Sequence, residues 1–157
     1  MKEVIKKYIW VFFISMLPIV ELRGAVPRGV GAGLPFWPTY LVSVVGNMIP
    51  VPFILLLVKP VLEWMQGIRI FSKIATFFLD KGYKAGAKFG DAKYVALFLF
   101  VAIPMPGTGA WTGSLASALL GLDFKKAFPA VFAGVLTAGI IMGIVSFGVL
   151  GAISLVG

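Results

Sequence analysis

The stretch Glu21-Leu-Arg-Gly-Ala-Val-Pro-Arg28, followed by glycines at 29, 31 and 33 and by Leu34-Pro35-Phe36, decides how this chain is read. Glu21, Arg23 and Arg28 are the only charges between Lys7 and Lys59. An unpaired charge in hydrocarbon costs roughly 2.5–3.5 kcal/mol even on lenient insertion scales, so these three sit either at a membrane surface or in a protein-lined interior. Three readings of the first residues compete. A signal peptide finds its basic start in Lys2, Lys6 and Lys7 and its apolar core in Tyr8 to Val20, but cleavage would set Arg23 or another poor residue where small ones belong. A single helix could run on through Glu21 and Arg23 to about Arg28. A helix could instead enter, break within Glu21 to Pro27 and turn back. Pro27 and the glycines favour this third reading, since irregular backbone at membrane depth is tolerated where it is buried in protein or lines a cavity.

Composition extends the same conclusion to the whole chain. Its 157 residues are 60% hydrophobic and 13% charged, against 45–50% and about 25% in soluble domains, which makes it an integral membrane protein. The absence of His and Cys removes Ser-His dyads, thiol nucleophiles, imidazole or thiolate metal sites, Fe–S clusters and disulfides. The six acidic residues are too scattered for a metal cage, and no Walker A motif exists. Neither Gly113-Ser114 nor Gly90-Asp91 completes an intramembrane protease pattern. The expectation is a non-enzyme without cofactor or metal.

Charge-free runs mark the membrane segments: Tyr8 to Val20, Gly29 to Val58, Tyr94 to Leu122 and Ala127 to Gly157. A straight helix as long as the later runs, about 45 Å, outruns a hydrocarbon core of about 30 Å, so the middle runs hold more than one simple span. Pro35 and Pro38 predict an interfacial turn, leaving Thr39 to Val58 as one span kinked or frayed at Pro50 and Pro52. From Val61 to Leu79, polar Glu63, Gln66, Arg69, Lys73, Thr76 and Asp80 recur at helical spacing among apolar neighbours, which predicts an amphipathic helix in the headgroup plane. Lys81 to Lys93 reads as a polar loop or short helix facing anionic lipid, so the +8 net charge needs no nucleic acid. Seven of the basic residues fall in 59–93, which by the positive-inside rule turns that region to the cytoplasm and both termini outward, although the basic N-terminus argues the other way.

The two halves resemble each other. Gly33-Leu34-Pro35-Phe36 and Gly121-Leu122-Asp123-Phe124 align at an offset of 88, which also pairs Gly46 with Gly134. Upstream, Gly24-Ala25 pairs with Gly109-Ala110 after a small indel, and Pro18 falls near the equivalent of Pro104. The predicted fold is an all-α integral membrane protein of two inverted repeats, each a re-entrant broken segment plus a transmembrane helix, joined by an amphipathic interfacial helix. Repeat one is 8–58 with its re-entrant segment at about 18–35, the connector is 59–93, and repeat two is 94–157 with its re-entrant segment at about 104–121.

Chemistry is then expected where the broken segments meet. Glu21 is the candidate proton-coupling site, because burial and a nearby guanidinium act on its ionisation in opposite directions. Arg23 and Arg28 suit an oxyanion, and Thr108, Thr112 and Ser114 add hydroxyls to a substrate-binding set. Gly24, Pro27, Pro104, Pro106, Gly107 and Gly109 are the expected breaks. Gly139 and Gly143, by contrast, read as helix packing, and Trp37, Trp64 and Trp111 as interfacial or packing residues.

Glu21-Leu-Arg-Gly-Ala-Val-Pro27 with its Gly-rich turn, and Phe100-x-x-x-Pro-x-Pro-Gly-Thr-Gly-Ala-Trp-Thr-Gly-Ser114, resemble the small multidrug export protein family over nearly the whole chain. That family looks like a compact relative of the DedA (VTT-domain) superfamily. The resemblance implies two inverted units with re-entrant segments, proton-motive-force-dependent transport, and lipids such as undecaprenyl phosphate as substrates. It puts Glu21 in the place of the acidic residue of the first re-entrant segment. DedA proteins carry arginines around their Phe-x-Pro-Gly pattern, whereas here the second motif is uncharged and the arginines lie in the first. The expected protein is a proton-coupled transporter or lipid translocase of the cell (inner or plasma) membrane, multi-pass and homodimeric, with membrane lipids and a small anionic amphiphile as partners. Efflux of lipophilic cationic drugs and a non-transport scaffold or assembly factor are the alternatives.

Overall fold

A backbone in hydrocarbon must satisfy its own N–H and C=O groups, and this sequence does so with helices. The computed structural model describes residues 1–156, so Gly157, the last residue of the expected second repeat, lies outside them. Among the described residues there are helices and no strands: α1 (Lys2–Met16), α2 (Glu21–Gly31), α3 (Phe36–Met48), α4 (Pro50–Gln66), α5 (Ser72–Lys88), α6 (Ala92–Ala102), α7 (Ala110–Leu119) and α8 (Phe124–Val156). Two stretches of the described residues are long and apolar enough to cross a membrane, Phe36–Gln66 and Phe124–Leu155. The first is α3 and α4 in succession. Ile49 between them keeps helical φ −59° and ψ −48°, so Pro50 and Pro52 remove backbone donors without turning the chain. The expected span of Thr39 to Val58 therefore extends in both directions, and Pro38 lies inside the first turn of α3, where a missing N–H costs least.

In the first half α1 packs on α2 and α3; in the second, α6 packs on α7 and α8. The short helices cross over, α2 lying on α8 and α7 on α4. Local geometry recurs as well. Leu17 (ψ 137°) and Ile103 (ψ 119°) end α1 and α6 in extended conformation, each ahead of a proline that disfavours the helical region for its predecessor. After α2, Ala32 N–H donates to the Arg28 and Val30 carbonyls, Gly33 N–H to Val30 and Leu34 N–H to Gly29. After α7, 88 residues on, Leu120 N–H donates to Ala116 and Ala118, Gly121 N–H to Ala118 and Leu122 N–H to Ser117. Gly33 (φ +84°) and Gly121 (φ +66°) take the left-handed conformation such helix ends require. Gly46 and Gly134 fulfil equivalent packing: a Cβ on the first would strike Phe12 and Ser15 of α1, and on the second Phe98 and Val101 of α6. Gly139 and Gly143 of α8 admit the rings of Tyr40 and Phe36.

Leu22, Val26, Tyr40, Val44, Val101 and Val135 form the core where α2, α3, α6 and α8 meet. The outer surface is no less apolar. Phe13, Leu41, Val45, Phe53, Leu57 and Ile144 are all exposed, an arrangement that suits lipid and would be a liability in water.

Two expectations are corrected. The first break falls at Leu17 to Val20, not within Glu21 to Pro27; Gly24 and Pro27 lie inside α2, and Gly24 N–H donates to the Val20 carbonyl at 2.9 Å. Pro18 ends α1 because Leu17 must be extended, whereas Pro27 only deletes one helical donor. Val61 to Leu79 is not one helix either. α4 stops at Gln66, where Gly67 N–H turns back to the Trp64 carbonyl, and α5 restarts at Ser72 and runs to Lys88, into the stretch expected as a polar loop or short helix.

Candidate functional site

Glu21 opens α2 with φ +50°, the only positive φ at a non-glycine among the described residues. Such a conformation costs of order 1–3 kcal/mol and persists where its surroundings enforce it. Here the carboxylate is the enforcing contact. Its Oε1 accepts from Trp111 N–H at 3.0 Å and its Oε2 from Ala110 N–H at 3.3 Å, and the residue is 4% exposed. Ala110 and Trp111 begin α7, whose first N–H groups have no partner within the helix and form the positive end of its dipole. The carboxylate fits because Gly109 has no side chain: a Cβ there would fall on it. With φ 148° and ψ −174°, Gly109 also occupies a region essentially reserved for glycine.

Arg23 holds the other side of the same break. Nη1 donates to the Met105 carbonyl at 2.9 Å and to that of Thr108; Nη2 donates to Val101 at 2.9 Å and Ile103 at 3.1 Å. These are carbonyls of the last turn of α6 and the segment after it, at the negative end of a helix dipole. Thr108 Oγ1, 2.9 Å from the carbonyl oxygens of both Ile103 and Met105, tightens that segment further. Trp111 performs the reciprocal task, its Nε1–H donating to the Met16 carbonyl at the end of α1 at 2.9 Å. A side chain of α2 thus closes α6, and a side chain of α7 closes α1. Arg23 and Trp111 stand at the same 88-residue spacing as the two turns, as do Glu21 and Gly109. The alignment of Gly24-Ala25 with Gly109-Ala110 is therefore displaced by three residues.

Above these contacts lies a cavity of about 560 Å³ between the 18–28 stretch and the 104–112 stretch. Pro18, Ile19, Pro104, Met105, Pro106 and Met142 supply its apolar walls. Glu21, Arg23, Arg28, Thr108 and Thr112 supply its polar ones, with Gly24 and Gly107 at the lining. The five are far from equivalent. Glu21 and Arg23 are committed to backbone, and the Thr108 hydroxyl to its own loop, whereas Arg28 and Thr112 are exposed to the cavity and make no side-chain hydrogen bond or ion pair among the described residues. Ser114 stands apart from this group, fully buried, with a hydroxyl that meets no partner among the described residues. Pro27 and Gly109 do not line the cavity.

Trp111 was expected only as an interfacial or packing residue, and its capping role was missed. Its signal was the offset of 88, which sets it opposite Arg23.

The family model described as "Putative small multi-drug export protein" matches residues 21–141, from the first residue of α2 through the break after α6 and into α8. Comparison with curated proteins and with solved structures gives no match. With well over half of its length matched, the chain belongs to the small multi-drug export protein family.

Proposed function

We propose that this protein is a multi-pass exporter of the cell membrane that passes an anionic amphiphile through the cavity between its two broken segments, with Glu21 as the proton-linked group. We read the halves as inverted repeats, each made of a leading helix, a break, a short re-entrant helix and a long helix; the recurring turns and the crossed packing of α2 on α8 and α7 on α4 support this. The observation that carries the functional reading is that one carboxylate both lines the cavity and holds the first N–H groups of α7. Ionised, Glu21 is a charged cap on that helix; protonated, it is a weaker one. Proton occupancy and the hold on α7 are then linked, and α7 also carries Thr112 on the cavity wall. Membrane export without covalent chemistry, as a homodimer among lipids, is the role this arrangement suits.

The anionic preference rests on Arg28. Its guanidinium faces the cavity without a partner among the described residues, while Glu21 is already engaged by two N–H groups and Arg23 by four carbonyls. A phosphate headgroup such as that of a polyprenyl phosphate would find its bidentate donor there. In detergent, a polyprenyl phosphate should raise the melting temperature of the wild type, and of Arg28→Gln by clearly less. Stabilisation by a lipophilic cation alone would reject the anionic reading. Export of such cations is the second reading, because the family's description concerns drugs and Glu21 is the one carboxylate among the residues lining the cavity.

A further inference from the structure

A second cavity, of about 320 Å³, lies between α6 and α7 and the turn joining α5 to α6. Its walls are apolar, made by Phe89, Ala92, Ala96, Leu97 and Leu120. Two residues with polar ends, Ser117 and Lys93, line it almost wholly through their apolar atoms. The Ser117 hydroxyl is satisfied by the Gly113 carbonyl at 2.8 Å. Lys93 is not neutralised. Its Nζ donates to the Gly86 carbonyl at 3.2 Å and lies 5.5 Å from the centroid of the Tyr94 ring, and it has no carboxylate within 4.0 Å among the described residues. The neighbouring Lys126 lies 5.5 Å from the same ring, but Asp91 pairs with it at 3.1 Å. The excess of positive charge continues along α5, where Lys81, Lys84 and Lys88 are likewise without a carboxylate partner among the described residues.

We infer that this cavity is a binding site for a phospholipid of negative headgroup, one acyl chain lying between α6 and α7 and the phosphate on Lys93. An apolar void leaves its lining without dispersion partners, and in a bilayer the molecule at hand to supply them is a lipid chain. A neutral lipid would supply those contacts equally. The Lys93 stem lines the cavity and its ammonium, held at the Gly86 carbonyl without a carboxylate among the described residues, lies beyond the apolar wall; that charge is what selects the anionic lipid, as basic groups beside membrane helices do. The site is independent of the export cavity: none of its lining residues is shared with it.

The test compares phosphatidylglycerol with phosphatidylcholine of identical chains, added to the delipidated protein in neutral detergent, with bound lipid counted by native mass spectrometry. The wild type should retain phosphatidylglycerol at least ten-fold more tightly. Lys93→Gln should bring the two lipids together, Ala96→Phe, which fills the cavity from its exposed wall, should lower the retention of both, and Lys84→Gln should leave the preference in place. Equal retention by the wild type would overturn the inference, and so would a preference that survives Lys93→Gln or retention unchanged in Ala96→Phe. Should Ala96→Phe not fold, the Lys93→Gln comparison decides alone.

Discussion

Glu21, Arg23 and Trp111 each tie a helix terminus of one half to a side chain or backbone of the other. Their substitution should therefore affect stability before it affects solute recognition. Arg23→Lys keeps the charge, but a compact ammonium cannot span four carbonyls as a planar fork does; a loss of about 1–3 kcal/mol is expected, seen as a lowered melting temperature in detergent. Trp111→Phe removes only the indole N–H to Met16 and should cost about 1 kcal/mol. Gly109→Ala should be the most damaging of the three, since a Cβ would both strain the backbone and displace the Glu21 carboxylate. Arg28→Gln, without a protein partner to lose, should leave the melting temperature of the empty protein within measurement error. The three charges were legible as unusual from their isolation in an apolar sequence. Their partners were not, because Arg23 reaches backbone carbonyls about 80 residues away and carbonyls carry no sequence signature.

At the scale of elements, the two turns that end α2 and α7 share a hydrogen-bond pattern but not their surroundings. A Cβ at Gly33 would meet open space, whereas one at Gly121 would enter the ring of Tyr83. Gly33→Ala should therefore cost only the left-handed penalty, about 1–2 kcal/mol. Gly121→Ala should cost measurably more, and Gly121→Ala combined with Tyr83→Ala should return toward the Gly33→Ala value in thermal unfolding. These turns were readable from the Gly-Leu-x-Phe pair because a helix end in this conformation favours glycine strongly. The site of the first break was misread for a related reason. Pro27 and the glycines around it look more disruptive than Pro18, yet an internal proline deletes one donor, while Pro18 dictates the conformation of the residue before it. The apparent single amphipathic helix from Val61 to Leu79 shows the converse: its polar periodicity persists across Gly67 to Phe71, where the chain nonetheless turns.

For the whole molecule, the helical, membrane-spanning character followed from composition, and the similarity of the halves from a short motif at a fixed offset. The crossed packing of the short helices was beyond reach, since it depends on contacts between distant segments. That crossing brings Glu21, Arg28 and Thr112 to one cavity in an otherwise apolar body, the cavity through which we propose proton-linked passage of a solute. The most direct measurement is flux of a fluorescent isoprenyl phosphate across proteoliposomes with and without an imposed pH gradient, for the wild type and for Glu21→Gln. The glutamine fixes the charge at zero and keeps one acceptor oxygen, but its NH2 faces the other α7 N–H, so a loss of about 1–3 kcal/mol is expected and flux is compared on the folded, reconstituted variant. Gradient-dependent flux is expected for the wild type and flux indifferent to the gradient for Glu21→Gln; gradient dependence that persists in the folded variant would rule out Glu21 as the proton-linked group.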